Sequence, residues 1–221
     1  MAIADTWLIK IASDSQPLEL RAIKASKILI RHFYPKDFTS TDAICLAFEK
    51  AALELNARDF NIYYVFNPIR DDAVIAEGKA CKSSDIAFRD LLLIDIDRRD
   101  KKHPSTGETC PASDDELVML ESVCDDVAAY LKRKFGEIPI AKVMSGNGYH
   151  LYYDLDLPND SQSTRVVKEL LRTLENLFGT DTCEIDTGVF DAPRITKVLG
   201  CIARKGTASG DRPYREVKLC L

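Results

Sequence analysis

The chain has 221 residues, 46% of them hydrophobic and 29% charged, and a net charge of -5 at pH 7. This composition is typical of a globular protein with ample material for a core, in one large domain or two small ones. No apolar run approaches the roughly 18 residues of a membrane helix, and the opening MAIADTWLIKIASDSQ lacks the basic start and apolar core of a secretory signal. These features exclude an integral membrane protein and predict a cytoplasmic one.

Three segments, taken in chain order, carry apolar residues at helical spacing. The first follows FTSTD, and the second opens with Ser113 and Glu116, a capping-box pair, and ends before Gly136. The third runs from about Thr164 to Phe178 and stops at a glycine. The three apolar stripes consist of Ile44, Phe48, Ala51 and Leu55, of Leu117, Leu120, Val127 and Leu131, and of Val167, Leu170, Leu171, Leu174 and Phe178. We therefore predict three amphipathic helices.

Strand-like segments, many of them rich in β-branched and aromatic residues, lie before, between and after these helices. In chain order they are LELRAI, ILIRHF, NIYYVF, AFRDLLLIDID, AKVMS, YHLYYDL, CEIDTGV, RITKVLGCIA and YREVKLC. Short turns join several neighbours without regular βαβ alternation, which predicts an α+β fold with a mixed or antiparallel sheet and helices on one face. The polar stretch RRDKKHPSTGETCP, residues 98–111, is predicted to form a mobile loop.

The seven cysteines occur singly, without any CxxC pair. Structural zinc sites use closely spaced Cys and His ligands, so we expect no zinc in this chain. The segments ICLAF, ESVCDDV, VLGCIA and KLCL place their cysteines in apolar surroundings, which predicts small buried side chains. In a reducing compartment these thiols are expected to stay out of disulfides.

The segment LLLIDIDRRD is the first candidate for chemistry. Because a strand alternates its faces, Asp95 and Asp97 point the same way while Ile94 and Ile96 point into the core. Two carboxylates about 7 Å apart on one strand face repel each other unless a cation lies between them. Oxygen ligands of this kind favour Mg²⁺ or Mn²⁺, which predicts a metal site. The alternative is a surface strand that carries two solvated acids.

The segment VMSGNGYHLYYDL is the second candidate. Asn147 and Gly148 form a strong two-residue hairpin signal between two strand-like runs, with Ser145 and His150 on either side. Glycines let an anionic group approach the backbone closely, and a His donor can hold a phosphate oxygen. The alternative is a plain hairpin whose histidine is packed in the sheet.

The segment CEIDTGVFDAPRITKVLGCIARKG is the third candidate. Asp186 follows an apolar residue and could supply a third carboxylate beside Asp95 and Asp97. Several cations follow it, which suit a triphosphate or a template backbone even in an acidic protein. These cations are Arg194, Lys197, Arg204, Lys205, Arg212 and Arg215, of which the last two lie beyond the quoted segment. The alternatives are a turn or helix cap for the acid and a solvated face for the cations.

Together these three segments resemble the motifs of the archaeo-eukaryotic primase superfamily, particularly the primase-polymerases of plasmids, phages and other mobile elements. The family's first motif is an apolar strand that ends in DxD, matched by Asp95 and Asp97. Its second often reads SGNGxH, matched by Ser145 to His150. Its third is an acid after an apolar residue, here Asp186, followed by an arginine-rich stretch and a Gly-x-x-x-x-Lys-Gly turn.

Two weaker features also fit, and the resemblance covers roughly Leu18 to Leu221. NIYYVFNPI resembles the strand that ends in Asn-Pro, here Asn67 and Pro68, and GDRPYREVKL resembles the closing RPxR segment. The chain departs from the family pattern at four positions. Where the family commonly has Pro, Thr, Asn and a small residue, this chain has, respectively, Leu199, Cys201, Asp191 and Pro193. The departures affect the expected nucleotide preference more than the expected activity.

The resemblance implies a primase-polymerase (RRM-like) catalytic core in a single domain over residues 1–221. An N-terminal subdomain of about 1–85 and a catalytic subdomain of about 86–221, sharing one cleft, are the alternative organisation. The implied activity is that of a DNA primase or DNA polymerase, a template-directed nucleotidyl transfer by a two-metal mechanism. Asp95, Asp97 and Asp186 would be the catalytic and metal-binding residues, with two Mg²⁺ or Mn²⁺ ions. The implied nucleotide-binding residues are Ser145, Gly146, Asn147, Gly148, His150, Arg194, Lys197 and Lys205.

The implied partners are nucleoside triphosphates and a single-stranded DNA template or primer-template, with no membrane. A helicase or accessory module on the same or another chain is a further implied partner. Two other function classes stay open at this point. A DxD glycosyltransferase would bind a sugar nucleotide through the same two acids, and a replication-initiator domain would bind nucleic acid without catalysis. Ribonucleotide or deoxyribonucleotide preference, and priming or extension, are also open.

Overall fold

The computed structural model of the chain describes residues 16–220, so most of the opening segment that was compared with a secretory signal lies outside the described residues, as does Leu221. Within this range the helices are α1 (Thr41–Asn56), α2 (Asp114–Phe135) and α3 (Ser161–Phe178). The strands are β1 (Leu18–Lys24), β2 (Lys27–Phe33), β3 (Asn61–Val65), β4 (Phe88–Arg98), β5 (Ala141–Met144), β6 (Tyr149–Pro158), β7 (Cys183–Ile185), β8 (Ile195–Lys197), β9 (Ile202–Ala203), β10 (Arg215–Glu216) and β11 (Lys218–Leu219). The predicted α+β class is confirmed.

The described part of the chain divides into two compact units, and the first comprises residues 16–90 together with 156–159 and 191–201. Its antiparallel sheet has the order β2-β1-β3-β8, and α1 packs against β1 and β3. The predicted stripe of α1 is buried, with Ile44 and Phe48 at its centre. The helix starts where the Ser40 side chain accepts a hydrogen bond from the Ala43 amide.

Within the described range, the second unit comprises residues 91–155, 160–190 and 202–220. Its five-stranded sheet has the order β11-β5-β6-β4-β7, and β9 and β10 form a separate two-stranded ribbon. The pairs β4–β7, β5–β6 and β5–β11 are antiparallel. Helix α3 packs against β7 and against α2. This sheet carries all three segments on which the acids and His150 were predicted.

The helix ends follow the local capping signals. Ser113 and Glu116 form the predicted capping box, and Gly136 ends α2 in the left-handed conformation at φ 80°. Helix α3 begins at Ser161 rather than near Thr164, because the Asp160 side chain caps it by accepting from the Ser163 amide. No helix within residues 16–220 is both long and apolar enough to cross a membrane.

Three predicted strands are shorter or divided in the structure. CEIDTGV forms a strand only over β7, so Asp186 lies just after it. RITKVLGCIA divides into β8 and β9 around a turn at Gly200, which has φ 78°. YREVKLC divides because β10 pairs with β9, whereas β11 pairs with β5. The chain changes its pairing partner at Val217, and apolar composition alone does not indicate that change.

The cysteines follow the prediction at six of seven positions. Six thiols are buried, and none of the seven, all within the described range, is in a disulfide. Cys220 is exposed, so the prediction from KLCL is wrong at that position. It follows the two-residue strand β11, which lies at the edge of the five-stranded sheet. An edge position has a partner strand on one side only, and this leaves the side chain open to solvent.

Candidate active site

The acids predicted to act together do lie on one face of the second unit's sheet. Ile94 and Ile96 are fully buried, whereas Asp95 and Asp97 are partly exposed, as the alternation of β4 predicts. Ile96 pairs with Ile185 of β7, and the Asp186 amide donates to the Asp95 carbonyl at 2.8 Å. Residues opposite each other in an antiparallel pair share a face. The register therefore brings Asp186 beside Asp95.

The same register reveals a fourth carboxylate that sequence reasoning missed. Glu184 pairs directly with Asp97 across β4 and β7 and is partly exposed. Its signal was present in CEID, since Glu184 precedes Asp186 by two residues and strand alternation places them on one face. We refer to Asp95, Asp97, Glu184 and Asp186 as the acid quartet.

Two lysines balance part of this negative charge. The Lys205 ammonium donates to Asp97 Oδ2 at 2.8 Å, and the Lys101 ammonium lies 3.4 Å from the same oxygen. Lys101 also donates to Glu184 Oε1 at 2.6 Å. Burial lowers the pKa of Lys101, but the bonds and charges of Glu184 and Asp97 outweigh burial and raise it above its usual value. Lys205 was predicted as a phosphate ligand, whereas Lys101 was assigned only to the polar loop.

That polar loop is irregular, as predicted, except for one local pairing. Lys102 and Thr109 form an isolated bridge, and the Cys110 amide donates to the Lys101 carbonyl at 3.0 Å. Cys110 is buried. The backbone of Lys101 is therefore held while its side chain reaches the acid quartet.

His150 is packed in the sheet and lies close to one of the acids. It is buried in β6, as the plain-hairpin alternative predicts, and its Nε2 lies 3.4 Å from Asp95 Oδ1. On the other side of the ring, Nδ1 lies 3.1 Å from the Tyr152 hydroxyl. Tyr152 thus orients the imidazole, and the edge of the ring carrying Nε2 faces the acid quartet.

The SGNG segment forms a hairpin, but its tip is displaced by one residue from the predicted Asn147–Gly148. The Ser145 amide donates to the Gly148 carbonyl at 2.8 Å, which leaves Gly146 and Asn147 at the tip. Gly146 has φ 93°, a left-handed conformation that favours glycine. A Cβ on Gly148 would lie 2.2 Å from the Ile96 carbonyl oxygen. Glycine at 148 therefore lets the hairpin lie directly against β4 beside Asp97.

Asn147 connects this turn to the segment before α2. Its Oδ1 accepts from the Ala112 amide at 3.0 Å, and the residue is buried. Its Nδ2 is buried without a hydrogen-bond partner in the described part of the chain. A buried amide group of this kind provides a donor for a ligand at the turn.

The arginines near the C-terminus have structural partners, not a shared open surface. Arg212 donates to both carboxylate oxygens of Glu116, at 2.7 and 3.0 Å, and Arg98 donates to Glu116 Oε2 at 3.0 Å. We refer to Glu116, Arg98 and Arg212 as the arginine clamp. Arg215 donates to Asp114 and to the Ala112 carbonyl. The predicted basic stretch is therefore divided among separate ion pairs.

The clamp is electrostatically favourable although it is largely buried. Arg98 and Arg212 expose 2% and 7% of their side chains. Burial raises the pKa of Glu116, but the hydrogen bonds from Arg212 and the Ser113 amide, with the charge of Arg98, outweigh burial and lower it below its usual value. The carboxylate is therefore held charged, and it joins the start of α2 to the end of β4.

The remaining predicted residues lie in the first unit. Arg194 is ion-paired with Asp191, one of the departures from the family pattern, and Lys197 lies on β8 opposite Tyr63. The Asn67 side chain donates to the Ala192 carbonyl and accepts from the Asp90 amide. Asn67 therefore ties the start of β4 to the segment before β8. Leu199 and Cys201 are buried.

The donor set of the acid quartet fits a divalent cation of the kind that the family resemblance implies. Four carboxylates on one face of two adjacent strands supply the hard oxygen ligands that Mg²⁺ and Mn²⁺ prefer. With the side chains as placed, no three His, Cys, Asp or Glu residues among 16–220 converge as they do around a bound ion. The positive charges beside Asp97 are the ammonium groups of Lys101 and Lys205.

Comparisons with known proteins concern the fold. No family model and no curated protein sequence matches the chain. Among solved structures, primase RepB' is 16% identical over 99% of this chain with a TM-score of 0.52, and the chain spans about half of its length, 54%. The catalytic domain of primase RepB' in complex with initiator DNA is 14% identical, with a TM-score of 0.51, over 100% of this chain and 85% of that one.

A third structure comes from a different kind of protein. The polymerase domain from Mycobacterium tuberculosis ligase D, in complex with DNA, is 14% identical with a TM-score of 0.53, over 97% of this chain and 78% of that one. Likeness at such low identity establishes the fold and not the activity. The chain thus has the fold shared by primase and polymerase catalytic domains, and the resemblance inferred from its motifs is confirmed at that level.

Proposed function

We propose that this chain is the catalytic core of a DNA primase-polymerase, which adds nucleotides to a chain under the direction of a template. The observation that carries the proposal is the acid quartet, set on one face of a sheet with His150 and Lys205 in contact with it. A glycosyltransferase would need the DxD pair but would leave the adjoining SGNG hairpin and the third acid without a role.

In this proposal Asp95, Asp97 and Asp186 hold Mg²⁺ or Mn²⁺. Bound there, the ions would activate the attacking 3′-hydroxyl and neutralise the leaving pyrophosphate. The protein supplies the geometry, since the β4–β7 register sets Asp186 beside Asp95 and the alternation of β4 keeps Asp97 on the same face. Charge repulsion among four acids favours cation binding at this place.

His150 and the hairpin turn would hold the incoming triphosphate. The Tyr152 hydroxyl contacts the imidazole at Nδ1, and Nε2, which faces Asp95, is the nitrogen proposed to contact a phosphate oxygen there. The close packing of Gly148 against β4 sets the turn beside Asp97, and the buried Asn147 amide group offers a further donor. Such preorganised donors stabilise negative charge without reorganisation.

Lys205 would leave Asp97 for the phosphates when a cation takes its place. Its ammonium is partly exposed and forms its bond to a single carboxylate oxygen, so the exchange breaks one contact. Arg194 and Lys197 are proposed as further contacts to the triphosphate or the template backbone. The template is proposed to be DNA, because two structures with the same fold are described in complex with DNA.

The test is an extension assay with the purified chain, with and without a primer, with each nucleotide type and with Mg²⁺ or Mn²⁺. We expect metal-dependent extension of a primed DNA template. Binding to primer-template without extension in either metal would favour a silent initiator domain. Turnover of a sugar nucleotide would favour a glycosyltransferase, and products in the primer-free reaction would establish priming in addition to extension.

A further inference from the structure

Lys101 lies between two members of the acid quartet, and its distances to them differ. Its ammonium is 2.6 Å from Glu184 Oε1, a direct charge-assisted hydrogen bond, and 3.4 Å from Asp97 Oδ2, beyond the usual length of such a bond. Asp97 Oδ2 already accepts the Lys205 ammonium at 2.8 Å. Two cations therefore face one oxygen of the acid at the centre of the proposed metal site.

Among residues 16–220, Lys101 is the cation nearest to Glu184. The Arg99 guanidinium is 3.9 Å away, and its closer partners are Glu175 at 2.6 Å and the Thr180 carbonyl at 2.8 Å. Glu184 lies directly opposite Asp97, so it is the carboxylate placed to hold Lys101 away from Asp97. In the described part of the chain, Glu184 and Asp97 are the two acids with which the Lys101 ammonium forms ion pairs.

We propose that Glu184 is a positioning residue that holds Lys101 off Asp97 and so leaves Asp97 available to a divalent cation. The inference rests on the proposed function, because it assigns a partner to the same metal site. Without Glu184, Asp97 becomes the acid nearest to Lys101. The ammonium then closes onto Asp97, and a divalent cation has to displace two lysines instead of one.

The test measures binding of Mn²⁺ alone, without nucleotide or DNA, by the electron paramagnetic resonance signal of the free ion. The proteins are wild type, Glu184→Gln, Lys101→Met, the double variant and Asp97→Ala, with Glu169→Gln as the control. Glu169 is an exposed acid paired with Arg172 on α3, so its loss removes the same charge away from the site. Thermal unfolding of each variant establishes that it is folded.

We expect Glu184→Gln to raise the Mn²⁺ dissociation constant about five- to tenfold, and Lys101→Met to lower it. In the Lys101→Met background, adding Glu184→Gln is expected to change binding less than about twofold, because the residue being positioned is gone. Glu169→Gln is expected to bind as the wild type does.

Other outcomes separate the two proposals. An equal loss from Glu184→Gln in both backgrounds would mean that Glu184 acts as a ligand or by its charge, and it would overturn this inference alone. Unchanged binding in Glu184→Gln would overturn it as well. Absence of Mn²⁺ binding in the wild type, with Asp97→Ala indistinguishable from it, would overturn the proposed metal site together with this inference.

Discussion

Two adjacent residues at the end of β4 belong to ion clusters of opposite kinds. Asp97 points to the open face of the sheet and joins the acid quartet, whereas Arg98 points to the buried face and joins the arginine clamp. The quartet has four partly exposed carboxylates, and two partly exposed lysines pair with two of them, Asp97 and Glu184. In the clamp two buried arginines share one glutamate.

The two clusters differ in burial and in charge balance, and these two properties predict different roles for them. In the clamp both carboxylate oxygens of Glu116 accept hydrogen bonds and both guanidinium groups are buried, so the clamp stabilises the fold and does not readily exchange partners. The quartet has more negative than positive charge and is open, so its lysines can give way to another cation. The prediction that follows is that changes in the quartet affect activity and changes in the clamp affect stability.

The largest effect is expected for Asp97→Ala. Loss of the central carboxylate should lower nucleotide incorporation by at least about 100-fold, while the thermal midpoint stays near that of the wild type because an open acid is removed. The matched control is Asp100→Ala, an exposed acid three residues further along, which should retain activity. Extension activity retained by a purified Asp97→Ala protein would remove the acid quartet from the mechanism.

Glu116→Gln is expected to have the next largest effect, on stability. It removes the carboxylate charge that the buried Arg98 and Arg212 share and leaves Arg212 with Asp211 at 3.8 Å, which should cost about 2–3 kcal/mol of unfolding free energy, discounted because Glu116 is partly exposed. Folding lowers the pKa of Glu116 below its ordinary value of 4.5, so this stabilisation is complete above that pH and is lost as the pH falls through the folded pKa. Denaturation from pH 7 to pH 3 measures both effects, and a pH-independent difference between the proteins would contradict the assignment.

His150→Ala tests whether the residue next to the acid quartet acts on the nucleotide or on the template. A lost hydrogen bond to phosphate should raise the nucleotide KM about tenfold and leave template binding nearly unchanged. Steady-state kinetics and fluorescence anisotropy with labelled DNA measure the two quantities, and His103→Ala in the polar loop serves as the control. Equal losses in both measurements would argue against a triphosphate role for His150.

The smallest effect is expected for Asp114→Asn, next to the clamp. Asp114 pairs with Arg215 at 2.7 Å but is 89% exposed, and exposed pairs contribute little. The unfolding free energy should stay within about 0.5 kcal/mol of the wild type. A loss of unfolding free energy as large as that of Glu116→Gln would show that the difference in burial does not determine how much each ion pair stabilises the protein.

The sequence was most informative where a few neighbouring residues decide the outcome. Helix α2 begins at the capping box of Ser113 and Glu116 and ends at Gly136, as expected, because capping depends on contacts within one or two turns. Ile94 and Ile96 are buried beneath Asp95 and Asp97 because strand alternation is a property of the local chain. The motifs likewise predicted the fold that solved structures share with this chain.

Which charges meet depends on contacts between segments that lie far apart along the chain. Lys205 reaches Asp97 across 108 positions and Arg212 reaches Glu116 across 96, and nothing in the local sequence distinguishes the lysine that faces the acids from the arginine that supports a helix. Glu184 joined the acids through the β4–β7 register, and the hairpin tip moved to Gly146 and Asn147 through the β5–β6 register. Periodicity and capping depend on near neighbours along the chain, whereas register and ion pairing depend on how distant strands align, which composition alone does not specify.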